Sequence, residues 1–279
     1  MIAARLRGLV SAGVLAAVAT SVSAQSDVFR YDDLDLRDPH VFVAASILGC
    51  RDVTNANITG FSINETLQAR IQTDGDGDGL LDLSSLIEFL PLNQSAATNL
   101  MDSGRADCVA PLASTSCGPL VSGGIAGDAS LSGVAACLAP VAGSTRPYAT
   151  PVTHATAPCF ASPVGTLTLD LGGIPVTLRD AQLAASFVGV PATRLANGLV
   201  RGFISEADAD ATILPPGFPL VGGQALSSVL PGGSGNCAAH DDRDIHQGST
   251  GWWFYLNYTA PRVPEAVDPF ANGFADGFE

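Results

Sequence analysis

The sequence contains no lysine, and all 13 of its basic residues are arginine. Acidic residues number 27, so the formal net charge is −14. Nucleic acids and anionic membrane surfaces bind proteins through a basic face. Because this chain is acidic, we expect neither of them as a partner. Charged residues are only 14% of the chain and hydrophobic residues 47%, a composition too apolar for a disordered protein.

Several motifs of catalysis and metal binding are missing as well. No two cysteines form a C-x-x-C pair, which disfavours a zinc ribbon or thioredoxin-like chemistry. No Gly-x-Ser-x-Gly, phosphate loop or dinucleotide fingerprint occurs, so serine-hydrolase and nucleotide-binding functions have no local support. Beyond the N-terminal segment, no apolar run reaches the ~18 residues of a transmembrane helix, and none is expected.

The first 24 residues have the organisation of a secretory signal peptide. Arg5 and Arg7 precede a short apolar run over residues 9–19, and small residues at 22–24 offer a cleavage site after Ala24. The alternative is a buried N-terminal helix. A signal peptide over 1–24 predicts an exported protein of the periplasm, the outer surface or the medium.

Cysteine usage agrees with export. An even number of cysteines in an exported chain predicts three disulfide bonds. Cys108 and Cys117 close the shortest loop and form the first expected pair. The remaining expected pairs are Cys137 with Cys159 and Cys50 with Cys237.

The pattern after residue 165 is typical of β-strands. Apolar and polar residues alternate on both sides of Gly172-Gly173, which predicts a hairpin, and 199–204 and 252–258 read as further strands. Residues 110–165 are rich in Ala, Gly, Ser, Thr and Pro and are expected to form a loop-rich excursion outside the core. The chain is therefore predicted to be one mainly β domain over 25–265, an antiparallel β-sandwich or jelly roll.

Two short helices are expected within this β domain. Ser62 and Glu65 have the spacing of a capping box, and apolar residues follow at 63, 67 and 71. Ser205 has the character of a second N-cap, and Pro215 must end that helix.

One segment carries a specific metal-binding pattern. Carboxylates alternate with glycines at Asp74, Asp76 and Asp78, and Asp82 follows. Over residues 74–85 this resembles the calcium loop of EF-hand-like proteins, including dockerins and thrombospondin type 3 repeats. Three neighbouring carboxylates repel one another, and a hard dication removes that repulsion.

The resemblance implies a ligand set for a structural calcium ion. Asp74, Asp76 and Asp78 would give side-chain oxygens, Leu80 its backbone carbonyl, and Asp82 a ligand at the ninth position. Gly79 would form the sharp turn and Leu81 would point inward. A solvated acidic turn is the alternative.

The twelfth position departs from the calcium-loop pattern. Ser85 stands where such loops usually place a bidentate carboxylate, so a dissociation constant of ~10⁻⁴–10⁻³ M is expected. Such a weak site favours a structural ion over a regulatory switch. The segment that follows is compatible with a helix or a strand, and the β-rich remainder favours a strand.

Three weaker patterns remain open. His240 and His246, with Asp241, Asp242, Arg243 and Asp244 between or beside them, form either a metal or acid/base site or a polar loop. Glu206, Asp208 and Asp210 offer paired carboxylates, or only helix-start acids. The aromatic residues Trp252, Trp253, Tyr255 and Tyr258 either stack on sugars or pack in the core.

The C-terminal tail over 266–279 resembles the Gly-Phe-Glu endings of exported proteins of Gram-negative bacteria. That resemblance implies a sorting or export tag, with a disordered extension as the alternative. No catalytic constellation is identified. We therefore expect an exported, calcium-stabilised envelope or secreted protein with a non-catalytic binding or structural role, its partner a carbohydrate or another envelope component. The alternatives are a secreted hydrolase acting on polysaccharide and a cell-surface adhesin module.

Overall fold

The computed structural model describes residues 26–45, 49–55, 60–235, 237 and 240–264. The expected signal peptide and the C-terminal tail lie outside the described residues. The strands are β1 (Asp27–Arg30), β2 (Asp33–Asp38), β3 (Phe42–Ala45), β4 (Gly49–Asp52), β5 (Ser85–Phe89), β6 (Thr98–Cys108), β7 (Cys117–Gly123), β8 (Gly127–Ser132), β9 (Cys159–Ala161), β10 (Gly165–Asp170), β11 (Pro175–Val188), β12 (Arg194–Ser205), β13 (Asp244–His246) and β14 (Ser249–Val263). The helices are α1 (Ile63–Gln72), α2 (Glu206–Ala211) and a 3-10 turn (Leu226–Val229).

The protein is mainly β with antiparallel pairing, as predicted, but the predicted sandwich or jelly roll is wrong. Eight strands form a closed barrel in the order β1-β5-β6-β8-β9-β11-β12-β14, and β14 pairs with β1 to complete it. Val28 lies opposite Val263 at this closure. Alternation in the sequence specifies one buried face per strand, and both a sandwich and a barrel satisfy that requirement.

Aromatic side chains occupy much of the barrel core. Phe89 lies edge-on to Phe160 with ring centroids 5.0 Å apart, and Phe29 and Phe187 extend the same cluster. Alternate residues of β14, from Trp252 to Ala260, join this main core. The barrel interior is therefore filled largely by side chains, as in other small barrels.

Both predicted helices are present. Ser62 caps α1 by accepting a hydrogen bond from the Glu65 amide (3.3 Å), and residues 63, 67 and 71 are buried. Ser205 caps α2 in the same way, accepting from the Asp208 amide (3.1 Å). The predicted hairpin forms β10 and β11, and both Gly172 and Gly173 have positive φ at its turn. Neither α-helix in the described part of the chain has the length and apolarity needed to span a membrane.

The segment 110–165 differs from the expected excursion. It contributes β8 and β9, which complete the barrel wall, and β7, which pairs with β6. Its small side chains hid these strands, because Ala129 of β8 is a core residue without a bulky apolar side chain. Only the irregular part, 133–158, follows the prediction, and it packs on the outer face of β14.

All three predicted disulfide bonds are present. They join Cys108 to Cys117, Cys137 to Cys159, and Cys50 to Cys237. The first fixes the β6–β7 connection and the second holds the 133–158 segment against β9. The third joins the β3–β4 hairpin to the segment before β13, so each bond secures an element that lies outside the barrel wall.

Candidate functional site

The acidic loop connects α1 to β5 and is attached to the barrel at its end. The Leu81 amide donates to the Cys108 carbonyl (2.9 Å), and the Ala110 amide donates to the Gly79 carbonyl (2.9 Å). The Leu81 side chain is buried in a small outer core with Cys108 and Cys117, which confirms that it points inward. The loop that follows the helix is therefore held against the β6–β7 hairpin by main-chain hydrogen bonds.

Three of the predicted ligands converge within this loop. One carboxylate oxygen from each of Asp74, Asp76 and Asp78 lies within 4.8 Å of the others. Asp74 accepts hydrogen bonds from the amides of Gly77 (2.7 Å) and Gly79 (2.8 Å). The bond from Gly79 is the main cause of the lowered pKa of Asp74, which favours its ionised form.

Glycine is required at specific points of the loop. Gly77 and Gly79 adopt φ of +79° and +89°, which side chains rarely tolerate. A Cβ on Gly75 would lie 2.7 Å from the Asp82 carboxylate, so a larger residue there would force the Asp82 side chain to move. These glycines allow the backbone to fold around the converging carboxylates.

The other predicted ligands lie differently. Asp82 is not part of the converging group, and its carboxylate accepts the Gly75 amide at 2.7 Å. Leu80, the predicted carbonyl ligand, forms an isolated antiparallel bridge with Val109. Ser85 begins β5, and its carbonyl accepts the Tyr31 amide at 3.0 Å. The residue at the twelfth position is therefore part of a strand, and its side chain carries no carboxylate for a cation.

The donor set suits a hard cation. Among the described residues, none of the ion pairs involves Asp74, Asp76 or Asp78, so no arginine neutralises them. Carboxylate and carbonyl oxygens are the ligands that Ca²⁺ prefers, and three such acids in one loop leave a strong local negative charge. The residues present fit a calcium ion with several water ligands.

A second cluster of ionisable groups lies in a pocket of about 370 Å³ that includes Arg146, Tyr148, His240 and Asp242. The Tyr148 hydroxyl donates to the Asp242 carboxylate and lies 2.9 Å from His240 Nε2. Burial, followed by the hydrogen bond to Asp242, raises the pKa of Tyr148 well above its usual value. The phenol therefore stays protonated and acts as a donor to the carboxylate.

Three carboxylates in and beside this pocket contact one arginine, two through its guanidinium and one through its main-chain amide. Arg146 Nε lies 3.3 Å from Asp242 Oδ1, and its terminal nitrogen lies 3.4 Å from Asp244 Oδ1. The Arg146 amide donates to Asp38, which is only 2% exposed. Burial and repulsion from Asp242 raise the pKa of Asp38 to about 7. The cluster therefore carries an excess of negative charge that a proton on Asp38 relieves.

His40 lies beside this pocket and contacts its lining residue Tyr148. Its ring stacks on Tyr148 with centroids 3.5 Å apart, and its Nδ1 lies 2.6 Å from the Asp52 carboxylate. Its Nε2 is buried and has no hydrogen-bond partner among the described residues. Asp38, His40, Arg146 and Tyr148 were not predicted from the sequence, because they lie 92 to 202 residues before His240 and match no motif.

The remaining members of the 240–246 segment make other contacts, although Asp241 also lines the pocket. Arg243 pairs with Asp241 (2.8 Å) and Glu206 (3.0 Å). His246 Nε2 lies 2.8 Å from Asp180, and its ring packs on Trp253. Among the described residues, no third ligand joins a metal site here, since the only converging group of acids, histidines or cysteines is the one at 74–78.

The other sequence candidates are occupied by structural contacts. Asp208 pairs with Arg179 (3.0 Å), Glu206 pairs with Arg243, and Asp210 accepts a hydrogen bond from the Ser227 hydroxyl. Each acid therefore has its own partner, and the three do not form a facing pair of carboxylates. The aromatic residues Trp252, Trp253, Tyr255 and Tyr258 are all buried, which confirms core packing. Trp253 and Tyr255 lie beneath the 133–158 segment.

Comparisons with models of known protein families, with curated proteins and with solved structures found no match to this chain.

Proposed function

We propose that this protein is an exported, non-catalytic protein of the envelope or the medium, with a binding or structural role and one calcium ion in the loop 74–82. The observation that carries the proposal is the convergence of Asp74, Asp76 and Asp78, which have no cationic partner among the residues that the structure describes. The ion would remove their mutual repulsion. Because the loop follows α1 and is hydrogen-bonded to the β6–β7 hairpin, calcium would stabilise the attachment of the helix to the barrel.

The sequence and the disulfide bonds support export. Three disulfide bonds are stable in oxidising compartments outside the cytosol and are rare within it. The signal-peptide pattern at 1–24 adds independent support. Expression with its own leader in a Gram-negative host tests this part, and mass spectrometry of the exported product should give a mature chain that starts at residue 25.

Thermal unfolding tests the calcium site. The mature chain is melted in EDTA, in about 10 mM calcium and in about 10 mM magnesium. We expect calcium to raise Tm by about 3–10 °C and magnesium to raise it less, because a site with Kd of ~10⁻⁴–10⁻³ M stabilises by mass action. The D76N/D78N double variant should lose the calcium effect, and D128N, an exposed aspartate of β8, should keep it. An equal Tm in EDTA and calcium would remove the proposal.

Hydrolysis of a polysaccharide is a second candidate function, favoured by one observation. Asp38 and Asp242 are two buried carboxylates that both contact Arg146, and burial raises the pKa of Asp38 to about 7. Glycosidases use such a pair, with one acid protonated and the other ionised. Release of reducing ends from soluble polysaccharides, lost in both D38N and D242N, would favour this function over the non-catalytic role.

The adhesin alternative loses the surface on which it depended. It required the Trp252 face to stack on sugars, and both Trp252 and Trp253 are buried.

A further inference from the structure

A second cavity lies where the barrel wall divides. Strand β6 pairs with β8 over residues 98–101 and then with β7 from Gly104 onward. The β10–β11 hairpin contributes lining residues to the cavity at this point. The cavity is partly open to solvent, has a volume of about 320 Å³ and lies between β5, β6 and this hairpin.

The cavity has an apolar part and a polar part. Leu167, Leu169 and Leu183 contribute apolar surface, and Leu167 and Leu183 are buried. Ser85 and Arg105 contribute polar groups and lie opposite each other on neighbouring strands. The Ser103 hydroxyl is already bonded to both main-chain groups of Ile125 (2.9 Å each) and is not available to a ligand.

Arg105 is exceptional among the arginines of this acidic protein. In the part of the chain that the structure describes, Arg51 and Arg105 are the two arginines whose side chains make no hydrogen bond or ion pair. Arg105 is exposed, so its guanidinium lies at the rim of the cavity. An unpaired guanidinium beside apolar surface is suited to a carboxylate attached to a hydrocarbon chain.

We propose that this cavity binds a medium-chain fatty acid. The carboxylate would bind Arg105 and the Ser85 hydroxyl, and the chain would lie against Leu167, Leu169 and Leu183. A volume of about 320 Å³ holds about ten water-sized groups, which matches a fatty acid of eight to ten carbons at roughly one group per carbon. The site meets the acidic loop only at Ser85, which is not one of the proposed calcium ligands, so we expect binding without calcium.

Isothermal titration of the mature chain with sodium decanoate tests the proposal. We expect saturable binding of one decanoate per chain at submillimolar concentration, in EDTA as well as in calcium. Each CH₂ removed should weaken binding about fourfold, so hexanoate should be far weaker. The neutral analogue decanol should bind at least about tenfold more weakly than decanoate, because it lacks the charge that pairs with Arg105.

Two variants and a control decide between specific and non-specific binding. R105Q should weaken decanoate binding about tenfold or more, and the matched control R51Q should leave it unchanged. L169F should reduce binding by filling the cavity while Tm stays within about 2 °C of the wild type. The absence of saturable binding, equal affinity for decanol and decanoate, or an equal effect of R51Q and R105Q would each overturn the proposal. None of these outcomes bears on the calcium site.

Discussion

The side chain of Asn64 makes hydrogen bonds to both main-chain groups of Leu36. The Leu36 amide donates to Asn64 Oδ1 (2.8 Å), and Asn64 Nδ2 donates to the Leu36 carbonyl (3.1 Å). Leu36 lies opposite Leu256 in the β2–β14 pair, so Asn64 satisfies the groups on the free edge of β2. A single amide thus replaces a neighbouring strand and fixes α1 to the sheet.

Replacing this amide should therefore loosen the helix. We expect N64A to lower the free energy of unfolding by about 2–4 kcal/mol, because it leaves a buried donor and a buried acceptor without partners. Urea denaturation measures the change. Q72A, which removes an exposed side chain of the same helix, should change stability by less than about 0.5 kcal/mol. A loss of similar size in both variants would show that the Asn64–Leu36 contact is not special.

The buried carboxyl of Asp38 should make stability depend on pH. Its pKa is raised from 3.8 to about 7 in the folded protein, so the folded state binds more protons between these values. Stability from this group is present below about pH 4 and is lost as pH rises through about 7. Asp242, Asp244 and Arg146 are the charged groups around it.

Between pH 4 and pH 8, the wild type should lose about 2–4 kcal/mol of unfolding free energy relative to D38N. The asparagine carbonyl can still accept the Arg146 amide. Urea denaturation at intervals of half a pH unit measures the profile, and D128N serves as the control with a wild-type profile. If the D38N difference is constant with pH, Asp38 has an ordinary pKa.

The packing of Gly198 against Tyr258 should be sensitive to one methyl group. A Cβ at position 198 would lie 2.6 Å from the Tyr258 ring, which stacks on Tyr31 with centroids 4.4 Å apart. We expect G198A to lower the free energy of unfolding by about 1–3 kcal/mol through overpacking. G133A, at a position with no atom within 4 Å of the new Cβ, should stay within about 0.5 kcal/mol of the wild type. Equal thermal stability of G198A and G133A would contradict the close contact.

Local features of the fold were predictable because their signals are local. Ser62 and Gly172-Gly173 specify a helix start and a hairpin turn within a few residues. The loop at 74–78 belongs to the same class, because alternating Asp and Gly bring three carboxylates together without help from distant elements.

Features that depend on distant pairing were not predictable. Closure of the barrel requires Val28 to lie opposite Val263, and no property of either strand selects that partner over another. The Asp38 cluster has the same origin, because Asp38, Tyr148 and Asp242 meet only after the chain has folded. The sequence pattern identified His240 and Asp242, which lie in one segment, but could not identify Asp38 and Tyr148, which come from distant segments.

Direct measurement of calcium binding tests the central claim. In equilibrium dialysis of the mature chain, we predict one bound calcium per chain with Kd of ~10⁻⁴–10⁻³ M. D76N/D78N should bind none while keeping the wild-type circular dichroism spectrum, and D128N should bind one. The absence of saturable binding up to about 10 mM calcium, or one ion bound equally by the double variant, would contradict the account.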